Sequence, residues 1–247
     1  MSTLVVTGGS RGIGAAVCVA AGTAGWDVVV DFARDEAAAA DVVRRITDAG
    51  GHALAVQADV RDAAGVERLF TAADAWRGPV AGLVNNAGIS GGLARVDEVG
   101  EQALLDVLAV NVAGPFLCAG AAVRRMSTRH GGTGGAIVNI SSRAAVLGGP
   151  GEYVHYAASK AALDALTVGL SVEVATEGIR VNGVAVGLVD TGFHAAAGEP
   201  ARPDRIRPTV PMRRSGEPAE IAAAVLWLLS DAASYTTGTV LAVSGGR

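Results

Sequence analysis

At 247 residues, half of them hydrophobic and only 18% charged, the chain is long enough to bury a large core within one domain. A net charge of −4, with no basic run beyond the solvated helix end suggested by Val123–His130, argues against a nucleic-acid partner. The uncharged stretch Gly12–Trp26 is too short and too glycine-rich to span a bilayer. No charged leader precedes Leu4, so the chain reads as cytoplasmic.

Short β-branched runs alternate with helix-period segments. The predicted strands are Leu4–Thr7, Asp27–Phe32, Ala53–Ala58, Gly82–Asn86, Ala136–Ser142, Arg180–Val186 and Val240–Val243. Between them lie a helix opening at the Gly12 turn and helical segments Glu36–Ala49, Ala63–Trp76, Val112–Met126, Ala157–Ala175 and Ala219–Leu229. This alternation implies right-handed crossovers and a single doubly wound α/β domain over residues 1–247. Its seven parallel strands are covered by helices on both faces, and ligands bind beyond their carboxyl ends. One long segment, Val189 to Pro211, carries four prolines and breaks the pattern; a loop of that length in a compact domain reads as a functional lid over a substrate. Cys18 and Cys118 stand alone in apolar surroundings and read as buried free thiols. His52, His130, His155 and His194 lack metal-ligand spacing, so no metal is expected.

Three features carry chemistry. Directly after the first strand, Thr7-Gly8-Gly9-Ser10-Arg11-Gly12-Ile13-Gly14 forms a glycine turn into a helix. Glycines let backbone N–H groups approach a pyrophosphate, and the helix N-terminus favours its charge. Further on, Lys160 is the only lysine among 20 Lys and Arg residues, and it lies four residues after Tyr156. On a helix such a pair shares one face about 5–6 Å apart at Cβ. A free phenol titrates near 10, too high to trade protons near neutrality, and a fixed compact ammonium lowers that value; the planar fork of arginine is a poor substitute. Tyr153 has Ala157 at the equivalent spacing, so it reads as a pocket wall. At the end of the predicted fifth strand stand Ser141 and Ser142, whose side chains face opposite sides.

Together these features resemble the short-chain dehydrogenase/reductase family over essentially the whole chain. The glycine turn matches that family's T-G-x-x-x-G-x-G pattern. It is followed in order by Asp59-Val60, Asn85-Asn86-Ala87-Gly88, Asn111, the serine pair, Tyr156-x-x-x-Lys160 and the terminal Thr237–Gly246 segment. The resemblance implies cofactor contacts from Gly8, Ser10, Arg11, Gly12, Ile13 and Gly14, with Asp59 and Val60 at the adenine and Asn86, Ala87 and Gly88 near the ribose. Gly187, Val189 and Thr191 would meet the carboxamide and phosphates, although Val186 replaces the proline usual before the glycine. It also implies a serine that binds the substrate carbonyl, Tyr156 as general acid/base, Lys160 on the nicotinamide ribose and Asn111 holding a water in a proton path. The usual serine-to-tyrosine separation of 13 residues lands on Arg143, so one extra residue separates them here. Ser142 is the expected serine, ahead of Ser141.

Cofactor choice is read at the end of the second strand, where an acid would bind the 2′-hydroxyl of NAD. Phe32 holds that position; Asp31, one residue earlier, faces the other way, and Arg34 and Arg11 are placed to meet a 2′-phosphate. NADP(H) is therefore expected over NAD(H). Within the family the chain looks most like 3-oxoacyl-(acyl carrier protein) reductases and sugar dehydrogenases. Arg129 suits an acidic carrier protein, but Val172 stands where those reductases often have a second cation. The expected function is interconversion of a small-molecule carbonyl and a secondary alcohol by a homotetramer or dimer, the oligomer resting on the resemblance alone. A cofactor-binding sensor or scaffold without catalysis is the alternative from another class, and a dehydratase or epimerase on the same fold is a third reading.

Overall fold

The computed structural model describes residues 2–247. In chain order the main elements are β1 (Thr3–Val6), α1 (Gly12–Thr23), β2 (Asp27–Phe32), α2 (Glu36–Asp48), β3 (His52–Gln57), α3 (Ala63–Trp76), β4 (Val80–Asn85), α4 (Glu101–Leu108), α5 (Gly114–Met126), β5 (Gly135–Ser142), α6 (Ala144–Leu147), α7 (Val154–Val174), β6 (Ile179–Val186), α8 (Phe193–Ala196), α9 (Arg202–Ile206), α10 (Pro218–Leu229) and β7 (Val240–Val243). All strand pairings are parallel, in the order β3-β2-β1-β4-β5-β6-β7. The order reverses between β1 and β4, and the crevice beyond their carboxyl ends is where a doubly wound sheet takes its ligand.

The apolar strands separate by face. Leu4, Val6, Val28, Val30, Val84, Val138 and Val184 pack under α1, α2 and α10; Val5, Val29, Leu83, Ile137 and Val181 pack on the opposite face against α3 and α5. Each such side chain, fully buried, contributes roughly 1.5–3 kcal/mol. Small residues let the helices lie close: a methyl on Gly22 of α1 would stand 2.6 Å from Ile46 of α2.

Two predictions are revised. The helix expected from Val112 begins at Glu101 and runs to Met126, with a π turn at Ala109–Ala113 between α4 and α5. By length and composition this 26-residue helix is apolar enough to cross a membrane. Its Cys118, Ala119, Ala121, Ala122 and Met126 lie in the core, while Leu104, Leu105, Leu108 and Phe116 are exposed. The segment read as a loop over 189–211 contains the short helices α8 and α9, each beginning within two residues of a glycine or proline.

Candidate active site

The glycine turn is held open from below. Gly8 and Gly12 adopt φ +61° and +54°, which favour glycine. A methyl on Gly14 would meet Gly8 O at 2.3 Å and Asn86 Nδ2 at 2.5 Å. Arg11 is the N-cap of α1 and makes no side-chain cap, so the helix keeps the free N–H groups of its first turn, a donor set suited to a pyrophosphate. Ser10, Arg11 and Ile13 are partly or fully exposed around this turn. Thr191 closes over it: its Cγ2 lies 3.4 Å from where a Gly12 methyl would stand. Val189, 5% exposed, bridges to Gly216, and a methyl on Gly187 would run into Ser244 at 2.6 Å, so the 187–191 segment is firmly placed without the usual proline.

Several expected contacts have other tasks. Asn86 Nδ2 donates to Thr7 O and Gly8 O, both at 2.9 Å, and Thr7 Oγ1 accepts from the N–H groups of Asn86 and Ala87. Asn86 therefore binds the glycine turn with its amide hydrogens and has only Oδ1 to offer a ribose. The Asp59 carboxylate is gripped by Arg61 at 2.6 to 3.0 Å, which holds it below the usual carboxylate range. Val60 is buried, and its side chain packs where a methyl on Gly114 would stand. Phe32, 5% exposed, is a core residue, so its side chain closes the strand instead of meeting a ligand. Arg11 and Arg34 are exposed and form no ion pair among the described residues; the charge of Arg34 reaches Asp59.

Asp31, dismissed as facing away, supports the turn. It is 2% exposed, its Oδ2 accepts from Gly8 N at 3.0 Å, its main-chain oxygen accepts from Gly9 N at 2.8 Å, and Oδ1 is buried without a partner. Burial, reinforced by the charge of Asp59, pushes its carboxyl up to about 7, against the lowering effect of the Gly8 N–H. The folded chain thus holds this proton well above the unfolded carboxylate value near 3.9, so the group's stability contribution is complete below pH 4 and is lost as pH rises through about 7. Asp31→Asn is expected to melt higher than wild type at pH 8, by roughly 2–4 kcal/mol in stability, with the gap closing near pH 4.5. Thermal melts at the two pH values check this; an equal gap at both would contradict it.

The second cluster gathers at the ends of β4 and β5. In the π turn, Asn111 is fully buried. Its Nδ2 donates to Ile89 O at 2.8 Å and Ser159 Oγ at 3.0 Å, and its Oδ1 accepts from Ile89 N at 2.9 Å. Ser159 in turn donates to Tyr156 O at 2.7 Å, tying the π turn to α7. A methyl on Gly88 would stand 3.4 Å from Asn111 Oδ1 and 3.5 Å from Lys160 Nζ, so these three positions converge. Both amide hydrogens of Asn111 are engaged, so only acceptor capacity and main chain are left for a water.

Ser142 and Tyr156 share the cleft. The Ser142 hydroxyl acts on the Tyr156 phenol, favouring its anion, and accepts from Ala144 N at 3.1 Å. Ser141 faces the other way: it is 2% exposed, donates to Lys160 O at 3.4 Å and acts on Asp164 of α7. The extra residue between serine and tyrosine is taken up by the one-turn helix α6 and by Gly148, Gly149 and Gly151, at φ +75°, +56° and +73°.

One expectation is reversed. The net shift of Tyr156 is upward: burial pushes the phenol up to about 12, opposed first by the Ser142 hydroxyl and then by the charge of Arg202. Lys160 Nζ donates to Ile140 O at 2.8 Å and lies 5.8 Å from the Tyr156 ring centre. Burial brings Lys160 down to about 8, against the pull of Asp164. Desolvation of the phenol therefore outweighs an ammonium already engaged by a strand carbonyl. Tyr153 and Phe193 wall the phenol, with ring centres 5.5 and 5.7 Å from that of Tyr156.

Residues 8–247 match the sequence profile of a family described as enoyl-(acyl carrier protein) reductase. The chain is 49% identical to the uncharacterized oxidoreductase YgfF of Escherichia coli (strain K12), covering 100% of both proteins. It is 40% identical to 3beta-hydroxysteroid dehydrogenase 1 of Eggerthella lenta, covering 99% of this chain and 92% of that one. Among solved structures, a mutant of a Serratia marcescens short-chain dehydrogenase/reductase superposes with a TM-score of 0.91 at 36% identity, over 99% of this chain and 97% of the other.

Proposed function

The chain belongs to the short-chain dehydrogenase/reductase family, nicotinamide-dependent oxidoreductases of small molecules, and on that premise we propose that it interconverts a carbonyl and a secondary alcohol with NADP(H). The observation that carries the reading is the meeting of Ser142 and Tyr156 in one cleft above Lys160, next to an uncapped glycine turn.

The nicotinamide supplies or accepts the hydride. Ser142 donates a hydrogen bond to the substrate oxygen and stabilises the charge that develops there. Tyr156 gives that oxygen its proton in reduction and takes it back in oxidation. A phenol pushed up to about 12 stays protonated at neutral pH, the form that gives a proton in reduction. Lys160 would hold the nicotinamide ribose, while Asn111 fixes the π turn against α7. Gly8, Gly12, Gly14 and Thr191 would surround the pyrophosphate, Asn86 would offer its free oxygen to the ribose, and Arg11 and Arg34 would receive the 2′-phosphate.

Ser142→Ala is expected to lower kcat roughly 10²- to 10³-fold with cofactor affinity nearly intact, and Ser141→Ala to be far milder. Steady-state kinetics on both variants decide; the large loss in Ser141→Ala would overturn the assignment. The cofactor choice is tested side by side: kcat/KM with NADPH is expected about tenfold or more above NADH, the worth of one charge-assisted hydrogen bond. Equal or better efficiency with NADH rejects it.

Val172 is 76% exposed and supplies no second cation beside Arg129, which favours a free small molecule over a carrier-bound acyl chain. The exposed Leu104, Leu105, Leu108 and Phe116, with Val168 and Val172 on α7, suit burial between copies of the chain in a homotetramer.

A further inference from the structure

Among the described residues four charged side chains are buried: Asp27, Asp31, Lys160 and Arg202. Asp27 is met by His52 and Arg77, while Asp31 and Lys160 belong to the clusters above. Arg202, 3% exposed, opens α9 in the segment that covers the cleft, and no motif marks it.

Its surroundings are specific. Nη1 donates to Glu152 Oε2 at 2.7 Å, Nη2 donates to the Tyr153 hydroxyl, and Cζ lies 4.6 Å from the centre of the Tyr153 ring; Nε is buried without a partner. Arg205 takes the other Glu152 oxygen at 2.7 Å and meets Glu199 at 3.4 Å, so Glu152 is divided between two guanidiniums and does not serve Arg202 alone. Tyr153 in turn packs edge-on against Tyr156, and Phe193 of the same covering segment meets Tyr156 from another side.

We propose that Arg202 is a positioning residue of the active site: it latches the covering segment to the Glu152–Tyr153 turn and, with the segment shut, sets a fixed positive charge beside Tyr156, so that closure and readying of the phenol are one event. The proposal rests on the reading of Tyr156 as the proton carrier.

The charged and titratable groups around the phenol come from every side. From α7 there is Lys160, which donates to Ile140 O without losing its charge and lies 5.8 Å from the ring centre. From the preceding turn there are Tyr153, which opposes the phenolate, and Glu152, shared by two arginines. From β5 there is Ser142, and from α8 His194, lowered by burial and by Arg202 itself. From α9, Arg202 adds a cation whose charge favours the phenolate. A guanidinium taken out of water needs such pairing to be tolerated, and its planar fork lets it bind a carboxylate and a phenol at once.

The test uses full-length Arg202→Leu and Arg202→Lys, each first checked for a cooperative melt. Loss of the positive charge disfavours the phenolate, so the limb along which alcohol oxidation rises with pH is displaced upward. In Arg202→Leu that limb is expected to move up by about half a unit or more, read as a roughly threefold lower rate at one fixed pH with saturating alcohol, substrate KM to rise about tenfold, and the NADPH dissociation constant measured by fluorescence to stay within about twofold. Arg202→Lys keeps the charge without the fork, so its limb stays near wild type while KM still rises. An unmoved limb in Arg202→Leu, or the same movement in both variants, overturns the charge role. Tryptic cleavage of the Arg205–Ile206 bond provides an arm independent of activity: it is expected to be about tenfold faster in Arg202→Leu than in wild type. Equal rates overturn the latch. A wild-type protein that oxidises no alcohol and reduces no carbonyl would instead count against the reading of Tyr156, with the cleavage arm still deciding the latch.

Discussion

Tyr156→Phe is expected to lower kcat by roughly 10²- to 10⁴-fold, the range for removal of a general acid. The substitution removes one oxygen and keeps the ring. The packing of that ring against Tyr153 and Phe193, 5.5 and 5.7 Å between centres, survives, so the cleft keeps its shape and NADPH affinity is expected within about twofold of wild type. What is lost is the hydroxyl that meets Ser142, carried on the ring whose centre lies 5.8 Å from Lys160 Nζ. Burial holds that phenol near 12, so at pH 7 the wild-type group is a filled proton donor and the variant has none. Single-turnover reduction with fluorescence titration of NADPH separates the two effects. A loss that appears in cofactor affinity with kcat retained would move Tyr156 from chemistry to binding.

Gly14→Ala is expected to weaken NADPH binding by about 100-fold or more and to destabilise the fold by about 1–3 kcal/mol, the usual cost of overpacking. The new methyl would stand 2.3 Å from Gly8 O, a main-chain atom that cannot swing away, and 2.5 Å from Asn86 Nδ2. Neither is free to retreat: Gly8 is tied to Asp31 at 3.0 Å, and Asn86 is tied to Thr7 O and Gly8 O at 2.9 Å. Relief therefore has to come from the glycine turn itself, the part that meets the pyrophosphate. Gly169→Ala is the matched control. Gly169 is exposed on α7 with open space around it, so a methyl there is expected to leave NADPH binding untouched and to add up to about 1 kcal/mol of helix stability. Comparable loss of binding in both variants would contradict the steric argument.

The sheet and the Ser142–Tyr156–Lys160 spacing are legible because they depend on local periodicities. Alternating β-branched runs named all seven strands to within two residues, and the two-residue period of a strand separated Ser142 from Ser141. What depends on long-range packing is not. Glu101–Leu108 went unread because the π turn at Ala109–Ala113 breaks the helical period just before Val112. Asp31 reads from its strand face as pointing away, yet the glycine turn folds back over it, a tertiary event with no local signal beyond a second acid in a strand that otherwise has only Asp27 among apolar residues. The direction of the Tyr156 shift failed for the same reason: spacing put an ammonium near the phenol, and burial, which spacing cannot report, outweighed it. Arg202 lies some 50 residues from its partners Glu152 and Tyr153, in a proline-rich segment whose path no pattern discloses.

The most direct measurement is the absorbance at 340 nm when NADPH and wild-type protein are mixed with a panel of ketones, keto-esters and sugars. The account predicts a decline that depends on one class of carbonyl and saturates with its concentration. Saturable NADPH binding with no carbonyl-dependent decline across the panel would contradict it and make the chain a cofactor-binding sensor.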